Sequence, residues 1–156
     1  MEFRSILESD APLLLDWLQR PHVKEWWNDG DDTLEKVRDH YLSDLEKVSR
    51  FILFCRKDDD VEKVPTGYFQ YYYLEDNVIG IDQYLAASEN LNRGLGTKAI
   101  LLFISHILEK HKPSMIIVDP DPENKRAIRC YEKIGFKYIE TQIDSDKQAS
   151  YIMQLK

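Results

Sequence analysis

Asn92-Arg93-Gly94-Leu95-Gly96-Thr97 lies between two segments of different periodicity. Before it, Val78 to Ala86 carries Val78, Ile79, Ile81, Tyr84 and Leu85, side chains that suit a pleated, half-buried strand. After it, Ala99, Ile100, Phe103, Ile104, Ile107 and Leu108 recur at three- and four-residue spacing, which is one face of an amphipathic helix. The two glycines therefore stand between a strand and the first turn of a helix. Glycine lets the main chain approach a ligand with no Cβ in the way. The first N–H groups of a helix have no partner within it, and their dipoles favour an anion. A phosphate suits that place. Gly-x-Gly alone is a weak signal, because a helix entry that binds nothing can carry it too. No Gly-Lys-Ser/Thr follows, which excludes a Walker loop, and the third glycine of a dinucleotide fingerprint is missing.

Outward from this point the chain alternates strands and helices. Upstream, Thr66 to Leu74 reads as a tyrosine-rich strand that turns through Glu75-Asp76-Asn77 into Val78. Phe51 to Cys55 is a strand before it, and the charged segment Arg56 to Lys63 between them is a hairpin loop. Phe3 to Leu7 begins the sheet. Ser9 or Asp10 caps a first helix with Pro12 in its opening turn and Leu14, Leu15, Trp17 and Leu18 on its buried face, and Pro21 stops it. Asp32, with Glu35 three residues on, reads as the cap of a second helix with the stripe Leu34, Val37, Tyr41, Leu45 and Val48. Downstream, Met115 to Val118 is a continuous apolar run typical of a strand covered on both faces. Asp121 as cap and Pro122 at the first helical position open the last helix, which Gly135 closes. Phe136 to Gln142 and Ala149 to Leu155 form a closing hairpin.

With 156 residues the chain reads as one domain, 1–156, able to bury a proper core. No apolar run approaches a membrane span, and Met1-Glu2-Phe3-Arg4 lacks the shape of a signal peptide. Cys55 and Cys130 are isolated, so neither a disulfide framework nor a zinc site is suggested, and a cytoplasmic setting follows. The net charge of −7 argues against a nucleic-acid partner and suits a cationic small molecule. The four histidines, His22, His40, His106 and His111, show no ligand spacing, and no metal is expected.

A second stretch sharpens the first: Asn124-Lys125-Arg126-Ala127-Ile128-Arg129-Cys130-Tyr131-Glu132-Lys133-Ile134-Gly135-Phe136. Together they resemble the GNAT superfamily of acyl-CoA-dependent N-acyltransferases. The likeness implies a mixed, mostly antiparallel twisted α/β sheet of six to seven strands, with about four helices on its two faces. It also implies acetyl-CoA as co-substrate, its pyrophosphate held by Asn92, Arg93, Gly94, Leu95, Gly96 and Thr97. The superfamily's usual Gln or Arg three residues before the first glycine is replaced by Leu91, so Arg93 is left to supply the positive charge.

Acyl transfer to an amine needs a neutral amine, stabilisation of the oxyanion and a proton for the departing thiolate. The resemblance assigns the oxyanion to main-chain N–H groups of Tyr84 and Leu85, the amine to Asp82 and the thiolate proton to Tyr131. Asn124 either bonds the pantetheine arm or simply caps its helix. An aspartate of ordinary pKa, about 4, is a poor base for an amine, so orientation and electrostatics are the larger part of the role given to Asp82. Each residue also has a plain structural use: Asp82 in an ion pair, Tyr131 as a core aromatic.

The segments His22-x-x-Glu25-Trp26-Trp27, Gly67-Tyr68-x-Gln70-x-Tyr72, Gly80-Ile81-Asp82-Gln83 and Asp119-Pro120-x-Pro122-x-Asn124 resemble, more narrowly, the aminoglycoside 6′-N-acetyltransferases. That likeness implies a polycationic acceptor met by Glu25, Trp26, Trp27, Tyr72, Asp82 and Asp119. Several carboxylates and a flat apolar face are what such a sugar requires. The tryptophans also serve as anchors for the first helices. The family's long acidic loop between the third and fourth strands is reduced here to Glu75-Asp76-Asn77. Two other functions remain open at this level: acylation of another amine, such as the hydroxylysine of a siderophore precursor, and a non-catalytic acyl-CoA sensor. The protein is expected as a monomer or homodimer.

Overall fold

The computed structural model describes residues 1–57 and 61–156. Part of the loop expected over Arg56 to Lys63, namely Asp58-Asp59-Asp60, lies outside them. Seven strands are hydrogen-bonded in the order β1-β2-β3-β4-β5-β7-β6: β1 Glu2–Ser5, β2 Val48–Arg56, β3 Lys63–Leu74, β4 Val78–Leu85, β5 Met115–Val118, β6 Lys137–Ile143 and β7 Ala149–Leu155. Among the described residues five α-helices accompany them: α1 Ala11–Leu18, α2 Pro21–Lys24, α3 Leu34–Tyr41, α4 Leu95–Lys110 and α5 Lys125–Ile134. The β1–β2, β5–β7 and β6–β7 pairs are antiparallel, whereas β4 and β5 run parallel. The sheet is thus mixed and mostly antiparallel, as expected. No helix among the described residues is long and apolar enough to cross a membrane.

The chain divides into two compact units, Met1–Tyr71 with Gln83–Leu91, and Tyr72–Asp82 with Asn92–Lys156. In the first, α1 turns Ala11, Leu14, Trp17 and Leu18 inward, where they meet Val37 and Tyr41 of α3, Ile52 of β2 and Tyr68 of β3. Pro21 does more than stop α1. It starts α2, because its fixed φ and missing N–H suit a first helical position. The cap of α3 is Thr33, whose hydroxyl accepts from the Lys36 N–H at 3.2 Å, while Asp32 instead pairs with the Lys36 ammonium. That helix also ends earlier than expected, at Tyr41: Leu45 is exposed and Val48 belongs to β2. A long-range bond accounts for the early stop. Arg50 is only 4% exposed, and its guanidinium donates to both Asp44 carboxylate oxygens at 2.8 and 3.0 Å, to Tyr68 Oη and to Gln70 Oε1. A buried arginine demands such partners, and Asp44 can supply them only from outside a helix.

In the second unit, α4 buries Ala99, Ile100, Phe103, Ile104 and Ile107, but Leu108 stays exposed. Strand β5 covers the span expected and sits between β4 and β7. The last helix begins three residues beyond its expected start. Asn124 is the cap, accepting from the Ala127 N–H at 3.2 Å, while the Asp121 carboxylate accepts from the Glu123 N–H in a preceding turn. Gly135 closes the helix at φ +116°.

Candidate active site

Within the second unit, Gly94 takes φ +77° and ψ −1° immediately before α4, a left-handed conformation open to glycine and costly for other residues. Lys98 N–H is the first to bond back along the helix, to Gly94 O at 3.1 Å. The N–H groups of Leu95, Gly96 and Thr97 therefore precede any intrahelical acceptor. No atom lies within 4 Å of where a Gly94 Cβ would stand, and Asn92, Arg93 and Gly94 are exposed. An open mouth lined by helix N–H groups fits a diphosphate. Thr97 Oγ1 lies 3.3 Å from Cys130 Sγ, which ties this first turn to α5. Asn124 spends its Oδ1 on the helix cap, which settles one of its two expected uses.

The same unit gathers a second group. In the parallel register Val78 pairs with Met115, Ile79 with Ile116 and Gly80 with Ile117. Two residues further along each chain stand Asp82 and Asp119, and their carboxyls hydrogen-bond one another. Two carboxyl groups can do so only while one of them carries a proton. Asp119 keeps contact with solvent at its surface, but the protein atoms crowded around it push its carboxyl above the usual range; the bond from Asp82 works against that rise. Tyr72 faces the pair. Burial raises its phenol well above the ordinary value, and Asp82, Asp119 and Tyr131 push it further in that order. Tyr131 is buried in α5, its ring edge-on to Phe136 at 5.5 Å. Tyr72, Asp82, Asp119 and Tyr131 thus form one cluster.

In the first unit, the end of β4 can be read rung by rung. Ala86 N–H donates to Thr66 O of β3 at 2.9 Å, and Tyr84 stacks directly on Tyr68 of β3 with ring centroids 5.3 Å apart. The main-chain groups of Tyr84 and Ala86 therefore face β3, and alternation sends those of Leu85 the other way. Of the two residues expected to offer N–H groups outward, only Leu85 is oriented to do so. Its carbonyl, on that outward edge, accepts from His22 Nε2 at 3.0 Å, and the Ala86 carbonyl accepts from Arg20 Nη1 at 2.7 Å.

A glycine-lined helix mouth, a carboxyl pair at the ends of parallel strands and a phenol on the following helix are what acyl transfer from a thioester to an amine requires. The acetyltransferase (GNAT) domain model matches residues 6–144. The chain belongs to the GNAT acetyltransferase family. It is 34% identical over 170 aligned positions to the aminoglycoside N(6′)-acetyltransferase type 1 of Klebsiella pneumoniae, covering 98% of this chain and 82% of that one. Solved structures of AAC(6′)-Ib superpose on it over 99% of its length at 33% identity. The complex with paromomycin and acetyl-CoA gives a TM-score of 0.85 over 92% of that chain, and the complex with coenzyme A and kanamycin gives 0.84 over 93%.

In the first unit of this GNAT enzyme the two tryptophans divide their work. Trp27 donates its indole N–H to Tyr41 Oη at 2.8 Å and sits edge-on to Tyr68 and Tyr84, so it anchors the first unit's core. Trp26 keeps 36% of its surface exposed and leaves a flat face available; Glu25 beside it is exposed too. Sequence patterns did not single out Arg20, and His22 drew notice only within a motif and as one of four histidines without ligand spacing. Asp29, Asp31 and His40 bring potential ligand atoms within 4.8 Å, and the 2.7 Å contact of His40 Nδ1 with Asp31 ties the loop before α3 to that helix.

Tyr84 supplies a stability test. Its hydroxyl is buried in the aromatic group of Trp17, Trp27, Tyr41 and Tyr68 and has no hydrogen-bond partner among the described residues. A buried unmet hydroxyl costs about 1–3 kcal/mol. Tyr84→Phe, which keeps the ring, is expected to raise the midpoint of urea unfolding; a drop would mean that the hydroxyl has a partner in solution.

Proposed function

We propose that this enzyme transfers an acetyl group from acetyl-CoA to the 6′-amine of aminoglycosides, conferring resistance to them, as a single catalytic domain in the cytoplasm. The observation that carries this is the hydrogen-bonded pair Asp82–Asp119 beside Tyr72. A carboxyl pair carrying net negative charge is made for an ammonium group. The chain's net charge of −7 adds long-range attraction for a polycation. Trp26 offers an exposed ring for a sugar face, and Glu25 and Asp119 supply further carboxylates.

In this proposal the first-turn amides of α4, with Arg93, hold the diphosphate, and acetyl-CoA supplies the acyl group. The Leu85 N–H meets the acyl oxygen as it gains negative charge. Asp82 takes a proton from the ammonium, directly or through water. The neutral nitrogen forms its bond to the acyl carbon as the carbon–sulfur bond breaks, and the Tyr131 hydroxyl protonates the leaving sulfur. The acylated nitrogen then gives up one of its two protons to the Tyr131 phenolate, and Asp82 releases its own to solvent, which restores both groups. Identical roles would serve another amine, so the test compares acceptors. Thiol release from acetyl-CoA is to be followed with kanamycin, tobramycin, hydroxylysine and a peptide amine, with NMR of the product to locate the acetyl group. Turnover of the two antibiotics with acetylation at the 6′ nitrogen is expected. Turnover of hydroxylysine or the peptide alone would end the aminoglycoside proposal.

A further inference from the structure

We infer that His22 is a positioning residue for acyl transfer: it caps the Leu85 carbonyl at the end of β4, so that Leu85 presents a hydrogen-bond donor to the acyl oxygen without a bare acceptor beside it. The inference rests on the role proposed above for Leu85. A strand edge offers N–H and C=O together from the same residue. The outward N–H of Leu85 is useful to an oxygen gaining negative charge, but the outward C=O presents the negative end of a dipole to it. Left uncapped, that carbonyl would oppose the charge its own residue is meant to stabilise.

The structure removes the conflict with side chains. His22 Nε2 lies 3.0 Å from Leu85 O. A carbonyl oxygen can only accept, so Nε2 carries the proton and the tautomer is fixed by its partner. One residue on, Arg20 donates to Ala86 O at 2.7 Å through Nη1, and its Nη2 is held by Asp16 at 2.8 Å. Ala86 N–H is meanwhile fixed to Thr66 of β3. The short helix α2, opened by Pro21, carries His22 as its second residue and Arg20 as its cap, so the two side chains reach consecutive carbonyls from neighbouring positions.

The test is steady-state kinetics with acetyl-CoA and kanamycin on wild type, His22→Ala, His22→Gln and His22→Asn. Glutamine places an N–H donor where Nε2 stands; asparagine is too short. His22→Ala and His22→Asn are expected to lower kcat about tenfold, a fraction of the loss seen when a direct oxyanion donor is removed. KM for kanamycin should stay within about twofold and His22→Gln should recover most of kcat, the pattern of an interaction felt in the transition state. A merely structural role would lower the melting temperature and leave kcat per folded molecule unchanged, and that result overturns the inference. So does a His22→Gln enzyme as slow as His22→Asn, a comparison that stands even if the alanine variant fails to fold. Wild type that turns over no amine would overturn the parent proposal and this one with it. Active wild type beside unaffected variants overturns this one alone.

Discussion

Asp82→Asn is expected to lower kcat about 100- to 1,000-fold while coenzyme A binding, followed by calorimetry, stays unchanged. Asparagine keeps the size of the side chain and can still donate to Asp119. It cannot take a proton from an ammonium group, nor add negative charge to the pair. Both losses fall on the step that frees the amine, so kcat and kcat/KM should drop together. The diphosphate is proposed to bind at the first turn of α4, whereas Asp82 stands on β4, which is why calorimetry should see no difference. Asp119→Asn is expected to cost less, because Asp82 then holds its charge alone. The double variant should be little worse than Asp82→Asn, since the two carboxyls are proposed to act on one ammonium group. Full activity of Asp82→Asn would show that the amine meets another group.

How much of this could be read before the fold was known depends on the range of the interactions. The strand β5, the strand β4 and the closing β7 are continuous apolar or alternating runs, and their limits follow from local side-chain type. The start of α5 does not. Asp121 and Asn124 are both good caps, Pro122 favours the earlier one, and the choice falls to Asn124 because Asp121 is engaged in its own turn. The end of α3 is set by Arg50 reaching back to Asp44, a contact invisible to helical periodicity.

The site divides in the same way. Gly94, Asp82, Asp119 and Tyr131 are residues of recognisable motifs, so their presence was legible. Their pairing was not, because it depends on the parallel register that sets Gly80 beside Ile117. The difference between Tyr84 and Leu85 depends on which rungs of β3 and β4 carry the hydrogen bonds, a fact of one-residue parity that no composition reveals. His22 and Arg20 reach carbonyls 63 and 66 positions away, and main-chain acceptors leave no mark on a sequence pattern.

Gly80→Ala tests the support beneath the carboxyl pair and should be the most damaging methyl group one can add to β4. A Cβ at Gly80 would stand 2.7 Å from the Tyr72 hydroxyl and closer still to the ring carbons. The residue is buried and lies at the last rung that joins β4 to β5. Neither strand can yield without breaking that pairing, so the Tyr72 ring must leave its place against Asp82 and Asp119. Overpacking of this kind costs about 3 kcal/mol, the upper part of the usual range. For a chain of this size that is a fall of about 8 °C in melting temperature. Activity should fall as well, with KM for the amine rising, because Tyr72 no longer packs the pair into position. The backbone itself is no obstacle: Gly80 is not among the residues at positive φ, so alanine suits its conformation and even restricts the unfolded chain. That separates steric from conformational causes. In a Tyr72→Ala background, Gly80→Ala should be neutral or stabilising by about 0.5 kcal/mol. An equal loss in both backgrounds would show that Gly80 makes room for something other than Tyr72, and that the carboxyl pair is held in place by other means.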